Sequence, residues 1–547
     1  MAKRKLSSRD DDEYGGASTS ELEDLYDSAA SKRKRGLKPT RRAPKKPKSS
    51  DPACQDDTPE DSYPLIPHPA SRHLIQNSAP IQDALLSWFV TVHDVRGMPW
   101  RKRFDASLTT EQRAQRAYEV WVSEIMLQQT QVATVIAYYN KWMESFPTIN
   151  DLAASDIDTV NALWKGLGYY SRAARILAGA KKVMDELDGR LPDNAKDMQS
   201  VMPGIGRYTA GAICSIAYNE QAPVLDGNVT RLLSRVLALH APPKAKTTQD
   251  ILWAGAEAMV KDCSRAGDLN QALIELGSTV CKPRDPTCGS CPLKSWCKAH
   301  QVAEGDSVSL IDAPVADIEE ICASCEPIPQ SENAVSPPVT SYPMKVERKK
   351  QREELDIVNV IEWHGNDKRW FLLVRRPEEG LLAGLHEFPT LPDVPDTIVT
   401  SDIKRVPYTL LSKLLKHPPH DDVTDDSATT GSNVKITKIQ RSGDVLHIFS
   451  HIRKTYRVQW VVLEGGEAPP DLIPNSFLPS TPKASLKSKK ATGNGKGRKA
   501  SAIKVDGSTK TSTVTSKWVQ LDDVEHANVG TGVMKIWKLV RSLWENT

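Results

Sequence analysis

The chain has 547 residues, 39% of them hydrophobic, and a formal net charge of +3 at pH 7. That length suits roughly two to four domains, and an apolar share below the globular norm points to unfolded stretches beside real cores. There is no run of about 18 apolar residues, which argues against a transmembrane helix, and "MAKRKLSSRDDDEYGG" lacks the apolar stretch of a secretory signal.

Residues 1–77 are polar, charged and rich in Pro and Ser, the composition of a disordered tail. Within it, "SKRKRGLKPTRRAPKKPK" (Ser31–Lys48) carries ten Lys/Arg and no acid. Such a run suits a nuclear localisation signal or a nucleic-acid arm, or simply a solvated tail. From Ile81 the texture changes. "IQDALLSWFVTVH", "YEVWVSEIMLQQTQVATVIAYYNKWMESF", "TVNALWKGLGYYSRAARILAGAKKVMDEL" and "ILWAGAEAMVKDC" have helical apolar spacing, broken at Pro147, Pro192, Pro203 and Pro223. An all-helical domain over 78–300 follows from this pattern. Residues 301–355 form an acidic, then Pro/Ser-rich, then basic linker. From Asp356, "IVNVIEW", "WFLLVRR", "VLHIFSH" and "YRVQWVVLEG" are short β-like runs, and a helix closes the chain. The second domain, 356–547, is therefore α+β, with a low-complexity insert at about 478–516.

Four places in the helical domain carry chemistry. In "VMPGIGRYTAGAI" (Val201–Ile213), Pro-Gly-x-Gly separates two helices. The turn serves tight helix packing, or it presents backbone N–H groups at a helix start to an anion such as a DNA phosphate. In "LDGNVTRLLSRV", Asp226 stands where an N-cap is needed, and an ionised carboxylate there would also suit a developing cation. Glu124 interrupts the apolar "WVSEIMLQQT". It lies either on the wet face of its helix or partly buried, where a raised pKa would make it a general acid. Then come Cys281, Cys288, Cys291 and Cys297, four thiols in one short loop. Without a secretory signal they read as metal ligands, and spacing alone does not separate zinc from an iron–sulfur cluster. Cys322 and Cys325 in the linker are too few to fill a zinc site.

Residues 80–300 resemble the endonuclease III superfamily of helix–hairpin–helix DNA glycosylases, and more narrowly the MutY-type adenine DNA glycosylases. A weaker likeness runs through the C-terminal domain. The motifs that carry it are "PWR" (Pro99–Arg101), "VSEIMLQQTQV", "WKGLGYYSRA", "MPGIGRYTAGAI", "LDGNV", "NQALIELGSTVC" and the four-cysteine loop, all in order. The resemblance implies a base-excision enzyme that removes adenine mispaired with 8-oxoguanine or guanine in duplex DNA. It favours a [4Fe-4S] cluster on the four cysteines. Adenine must leave the stack before chemistry. By resemblance Gln129 and Tyr169 fill the hole, Thr130 and Leu167 approach the opposite base, and Gly204 and Gly206 grip phosphate. Glu124 matches the acid that protonates adenine. Asp226, oriented by Asn228, matches the carboxylate that stabilises the sugar cation. Arg101 and Glu275 match adenine-pocket positions, and Tyr208 lies against the sugar.

Bifunctional relatives carry lysine where this chain has Tyr208. A phenol cannot form an imine, so the enzyme is expected to release the base and leave an abasic site; Thr230 supplies no amine either. "FLLVRRPEEGLLAGLHEFPTL" resembles the family's Nudix-like domain, yet no glutamate-rich metal-binding run follows Gly380, which argues against nucleotide hydrolysis. "FSHI" (Phe449–Ile452) matches the loop that reads 8-oxoguanine, with Ser450 on the base edge and Phe449 and His451 beside it; taken alone, Ser450 is an ordinary turn serine. His386 replaces a tryptophan common in the family. Animal members hold a linker zinc with three or four ligands, of which only Cys322 and Cys325 are visible here. The resemblance also implies a monomer with no membrane partner, a checkpoint or replication sliding clamp docking on the linker, and a nuclear site, with mitochondria open. The alternatives left standing are a non-catalytic lesion-binding scaffold and a bifunctional lyase of the same superfamily.

Overall fold

A computed structural model of the chain describes residues 62–63, 68–305, 321–329, 336–346, 350–365, 368–377, 380–419, 434–449, 451–474, 476–478 and 512–544. The chain divides into two compact units, Met1–Asp156 with Ala174–Glu347, and Ile157–Ala173 with Arg348–Thr547.

The first unit is helical. Its helices, with one that falls in the second unit, are α1 (Ala79–Val92), α2 (Thr110–Leu127), α3 (Val132–Ser145), α4 (Ile149–Ala153), α5 (Ile157–Trp164, second unit), α6 (Ser171–Glu186), α7 (Ala195–Val201), α8 (Arg207–Tyr218), α9 (Gly227–Val236), α10 (Lys246–Val260), α11 (Ala266–Thr279) and α12 (Lys298–Ala303). Local chemistry sets their starts. Thr109 and Gln112 exchange side-chain and backbone bonds of 3.3 and 2.8 Å in a capping box ahead of α2, and Asn194 caps α7. The core is built from residues three and four apart: Leu252, Ala256 and Met259 on α10; Leu269, Leu273 and Leu276 on α11; Leu85 and Phe89 on α1. Each such leucine contributes on the order of 1.5–3 kcal/mol.

Packed chain begins before the expected domain start. Residues 70–73 form a 3-10 turn, and His68 and His73 are buried, so these positions do not belong to a disordered tail. Their imidazoles give a polar segment something to bury. Within the expected linker, Tyr342 is likewise buried, against Ala238 and Ala299. Ser62–Tyr63 (β1) pairs with Ile328–Pro329 (β2). The basic run Ser31–Lys48 lies outside the described residues.

The second unit is α+β. Its strands are β3 (Arg352–Gly365), β4 (Lys368–Arg375), β5 (His386–Glu387), β6 (Thr390–Leu391), β7 (Lys435–Ile448), β8 (Ile452–Glu464), β9 (Ser476–Leu478), β10 (Ser512–Val514) and β11 (Ser516–Gln520). The main sheet runs β11-β4-β3-β8-β7, and β3 pairs with β8 in parallel while its other pairs are antiparallel. Period-two alternation divides its faces. Val358, Val360, Phe371, Leu373 and Val458 pack on α14 (Thr531–Trp544), while Ile361, Leu372, Val374, Val461 and Leu463 join Leu411 and Leu414 of α13 (Thr400–Leu414). The sheet therefore lies between two helices. The bulk of the low-complexity insert, 479–511, lies outside the described residues.

Candidate functional site

The Gly-x-Gly stretch forms a hairpin from α7 to α8. Gly204 has φ +74°, a left-handed backbone that favours glycine. Gly206 is extended and stands at the N-cap of α8 with no side-chain cap, at a helix start where the dipole favours an anion. Tyr208 follows in the first turn of α8. Its hydroxyl donates to Oε2 of Glu124 on α2 at 2.8 Å. Glu124 is buried, with 9% of its surface exposed, which decides against the wet-face reading.

Asp226 caps α9: Oδ1 accepts from the Val229 N–H at 2.7 Å and Oδ2 from the Asn228 amide at 2.8 Å. The cap and the candidate catalytic carboxylate are thus one residue. Burial raises its pKa; the bonds from Val229 and Asn228 and the charge of Arg231 pull the other way. Enclosure of the side chain outweighs those bonds in setting the direction of the shift.

Arg101 donates to Oε2 of Glu275 at 2.8 Å, and Arg96 reaches the same oxygen at 3.2 Å and Ser278 at 3.3 Å. Arg96 was missed by the sequence reading; its place five residues before Arg101, across the turn of Gly97 (φ +56°), is the signal that would have flagged it. Burial lowers the Arg101 pKa, and Glu275 offsets part of that. Of the expected wedge positions, Gln129 (φ 55°) and Tyr169 (φ 48°) both hold left-handed backbones. In a non-glycine residue this stores strain of the kind found at functional sites, about 1–3 kcal/mol. Thr130 is half-buried, and its amide bonds the Leu127 carbonyl at 3.2 Å. In the second unit, Tyr169 is 43% exposed and Leu167 is buried.

Cys281, Cys288, Cys291 and Cys297 line a small cavity of about 20 Å³, with Leu232, Val236 and Leu293 among its apolar walls. Among the described residues, no three of these thiols bring their sulfurs within 4.8 Å of one another. A single zinc, with Zn–S bonds of about 2.3 Å, would need them closer. Four cysteines spread around an apolar hollow fit a polynuclear cluster such as [4Fe-4S]. Without metal, burial pushes the Cys291 and Cys297 thiols up to about 11 and about 12. Arg235, 1% exposed, donates to Cys281 Sγ at 3.2 Å and to the carbonyls of Lys282, Pro283 and Tyr342. Arg231 joins the Asn228 side-chain oxygen (3.0 Å) to the Cys281 carbonyl (2.9 Å), so a continuous bonded path leads from Asp226 to the cysteine loop.

The linker pair is not alone. His68, His73, Cys322 and Cys325 place their ligand atoms within 4.8 Å of one another, with His73 Nε2 3.4 Å from Cys322 Sγ and 3.3 Å from Cys325 Sγ. The two-ligand reading is corrected by the two histidines, which come from a segment assigned to the tail. The set is a four-residue group able to hold a metal.

At the tip of the β7–β8 hairpin, the Phe449 N–H bonds the Ile452 carbonyl at 2.8 Å, and the rings of His447 and Phe449 meet edge-on at 4.5 Å. His451 is exposed; Ser450 lies outside the described residues. His386 carries an imidazole whose Nδ1 is buried without a hydrogen-bond partner.

A helical unit whose glycine hairpin leads straight into the helix that closes on a buried carboxyl marks one class, the helix–hairpin–helix base-excision glycosylases. The family described as "HhH-GPD superfamily base excision DNA repair protein" matches residues 122–257. The chain is 44% identical to the adenine DNA glycosylase of Rattus norvegicus over 389 residues, 70% of each chain. It is 41% identical to that of Homo sapiens over 418 residues (74% of this chain, 71% of the human one), and 37% to that of Schizosaccharomyces pombe over 396 (70% and 80%). The chain belongs to the adenine DNA glycosylases. It is a DNA N-glycosylase of base excision repair.

Proposed function

We propose that the enzyme hydrolyses the N-glycosidic bond of adenine paired with 8-oxoguanine or guanine in duplex DNA and leaves an abasic site. The observation that carries this is the 2.8 Å bond from Tyr208 to the buried Glu124. It aligns a carboxyl, out of water, beside the residue on which lyase chemistry would need a lysine. The adenine is flipped into the site, with Gln129 and Tyr169 filling the vacated stack and Leu167 and Thr130 beside the opposite base. Arg101 and Glu275 hold the base. Glu124 delivers a proton to the adenine ring and makes it a leaving group. As the bond breaks, the sugar carbon becomes cationic, and Asp226, held by Val229 and Asn228, faces that charge from a desolvated position where its field is strong. The paired-carboxylate logic is that of retaining glycoside hydrolysis. Gly204 and Gly206 turn backbone N–H groups toward phosphate.

A [4Fe-4S] cluster on Cys281, Cys288, Cys291 and Cys297 would cross-link a loop with little core of its own. Zinc on His68, His73, Cys322 and Cys325 is supported by a complete Cys2His2 donor set. Phe449, Ser450 and His451 would read the lesion from the hairpin tip, and Ser31–Lys48 supports a nuclear destination.

Single-turnover incubation with an A:8-oxoguanine duplex, followed by alkali, tests the reading. Wild type should yield a break at the adenine. Glu124→Gln should lose excision by about 10²-fold or more while duplex binding persists. Tight binding without base release by the wild type would sink the proposal. A borohydride-trapped covalent adduct would select the bifunctional alternative.

A further inference from the structure

A separate cavity of about 190 Å³ lies in the helical unit, between the loop after Arg101, the start of α2, the far end of α8 and the start of α11. The α8 helix spans about 18 Å at 1.5 Å per residue, which places this cavity a helix length from the glycine hairpin. Neither Glu124 nor Asp226 lines it.

Its charge is uneven. Lys102, Arg103, Arg113 and Arg116 line it, against Asp105 and Asp268. Both acids are engaged: Asp105 accepts from Ser107 and Asp268 from Arg265. Three of the cations have partners that solvent can replace: Lys102 holds Glu119, Arg103 holds Asp94, and Arg113 donates to the Ala106 carbonyl. Arg116 differs. Only 7% of it is exposed, and its Nη1 donates to the Trp100 carbonyl at 2.5 Å, with Glu119 at 3.5 Å. Its Nη2 is buried with no hydrogen-bond partner. A guanidinium presents its donors as a fork suited to an oxyanion, and an unmade buried bond is costly. The space would hold about six waters at ~30 Å³ each, enough for a phosphate-sized ion and below the ~300 Å³ at which organic-ligand pockets begin.

We propose that this cavity binds a small tetrahedral oxyanion of the phosphate type, with Arg116 and Arg113 as its main partners. The bound ion would tie the 102–108 loop to α2. That loop starts at the residue after Arg101, and Gln271, which lines the cavity, lies one turn before Glu275 on α11. Occupancy would therefore stiffen both partners of the Arg101–Glu275 ion pair.

The full-length protein is titrated with inorganic phosphate against chloride at matched ionic strength, and the unfolding temperature of the helical unit is read. Saturating phosphate should raise it by roughly 3 °C. Because the hairpin also attracts phosphate, the titration is repeated with an uncleavable duplex bound, where the shift should persist. Arg113→Ala, a half-buried residue bonded only to a loop carbonyl, should fold and lose most of the shift; Arg116→Gln should abolish it. No saturable shift, a shift lost when duplex is bound, or one unchanged in Arg113→Ala would each overturn the proposal.

Discussion

A Cβ at Gly277 would lie 2.8 Å from both the Cβ and the carbonyl oxygen of Asn228, so α9 and α11 touch backbone to backbone beside the residue that holds Asp226. The Gly277 carbonyl also accepts from Arg231 at 2.6 Å. Gly277→Ala is therefore expected to push Asn228 away from Asp226 Oδ2. Overpacking of this kind costs about 1–3 kcal/mol, and excision should fall more steeply than stability predicts. Single-turnover rates set against denaturation midpoints check this; a variant with wild-type excision would remove the argument. Glu124 was visible in the sequence as a charge inside an apolar helix and Asp226 as a helix cap, but the sequence did not decide the burial of either. A helix periodicity says which face a side chain is on, and α2 has little wet face to offer where α8 covers it. Arg96 escaped because its bond to Glu275 joins residues 179 positions apart.

Elements were more legible than their partners. The helical runs at 81–93, 118–146, 159–187 and 251–263 follow apolar spacing that needs no knowledge of the rest of the chain, although the second is broken between Leu127 and Val132 and the third between Trp164 and Ser171. The sheet is different: β3 lies parallel to β8, which begins 100 residues after β3 starts, and no local pattern announces that pairing. The β7–β8 hairpin was readable as two β-like runs around "FSH". Its tip depends on Phe449, fixed by the His447 ring and by the Gln351 amide, which donates to the Phe449 carbonyl at 3.2 Å. If the tip reads the base opposite adenine, Phe449→Ala should lower the preference for A:8-oxoguanine over A:G while leaving the A:G rate near wild type; the ratio of the two rates is the measurement. The short β5 strand carries a pH response. Burial, then the charges of Lys517 and Arg375, lower the His386 pKa from 6.5 to about 4. The unfolded chain takes up that proton and the folded one resists it, so this contribution to stability is intact above pH 6.5 and is lost as pH falls toward 4. His386→Phe should flatten the acid loss of stability in the second unit over that window, as followed by thermal unfolding at several pH values.

At the scale of the whole molecule, the largest gap between sequence and structure is the His68–His73–Cys322–Cys325 donor group, drawn from both ends of the helical unit's sequence. His73 and Cys322 are 249 residues apart, and each looks ordinary where it stands: histidines in a polar tail, a cysteine pair in a linker. Only folding brings the donors together, and it does so because His73 is anchored by a 3.0 Å bond from its Nδ1 to the Leu237 carbonyl, leaving Nε2 for a metal. A bound zinc would close the chain around the helical core and bind the folded state alone, so its stabilisation is linked to occupancy. The two units have separate cores, so calorimetry should resolve two transitions. Chelation should lower the helical unit's transition by several degrees, leave the α+β unit's unchanged, and be reversed by zinc; His73→Ala should match the chelated state with zinc present. One further sign separates this group from the cysteine loop. If Cys281, Cys288, Cys291 and Cys297 hold an iron cluster, a chelator that removes zinc should leave the iron untouched, because these thiols line their own cavity. No zinc in the purified protein, and no shift on chelation, would mean that the four donors close on one another without an ion.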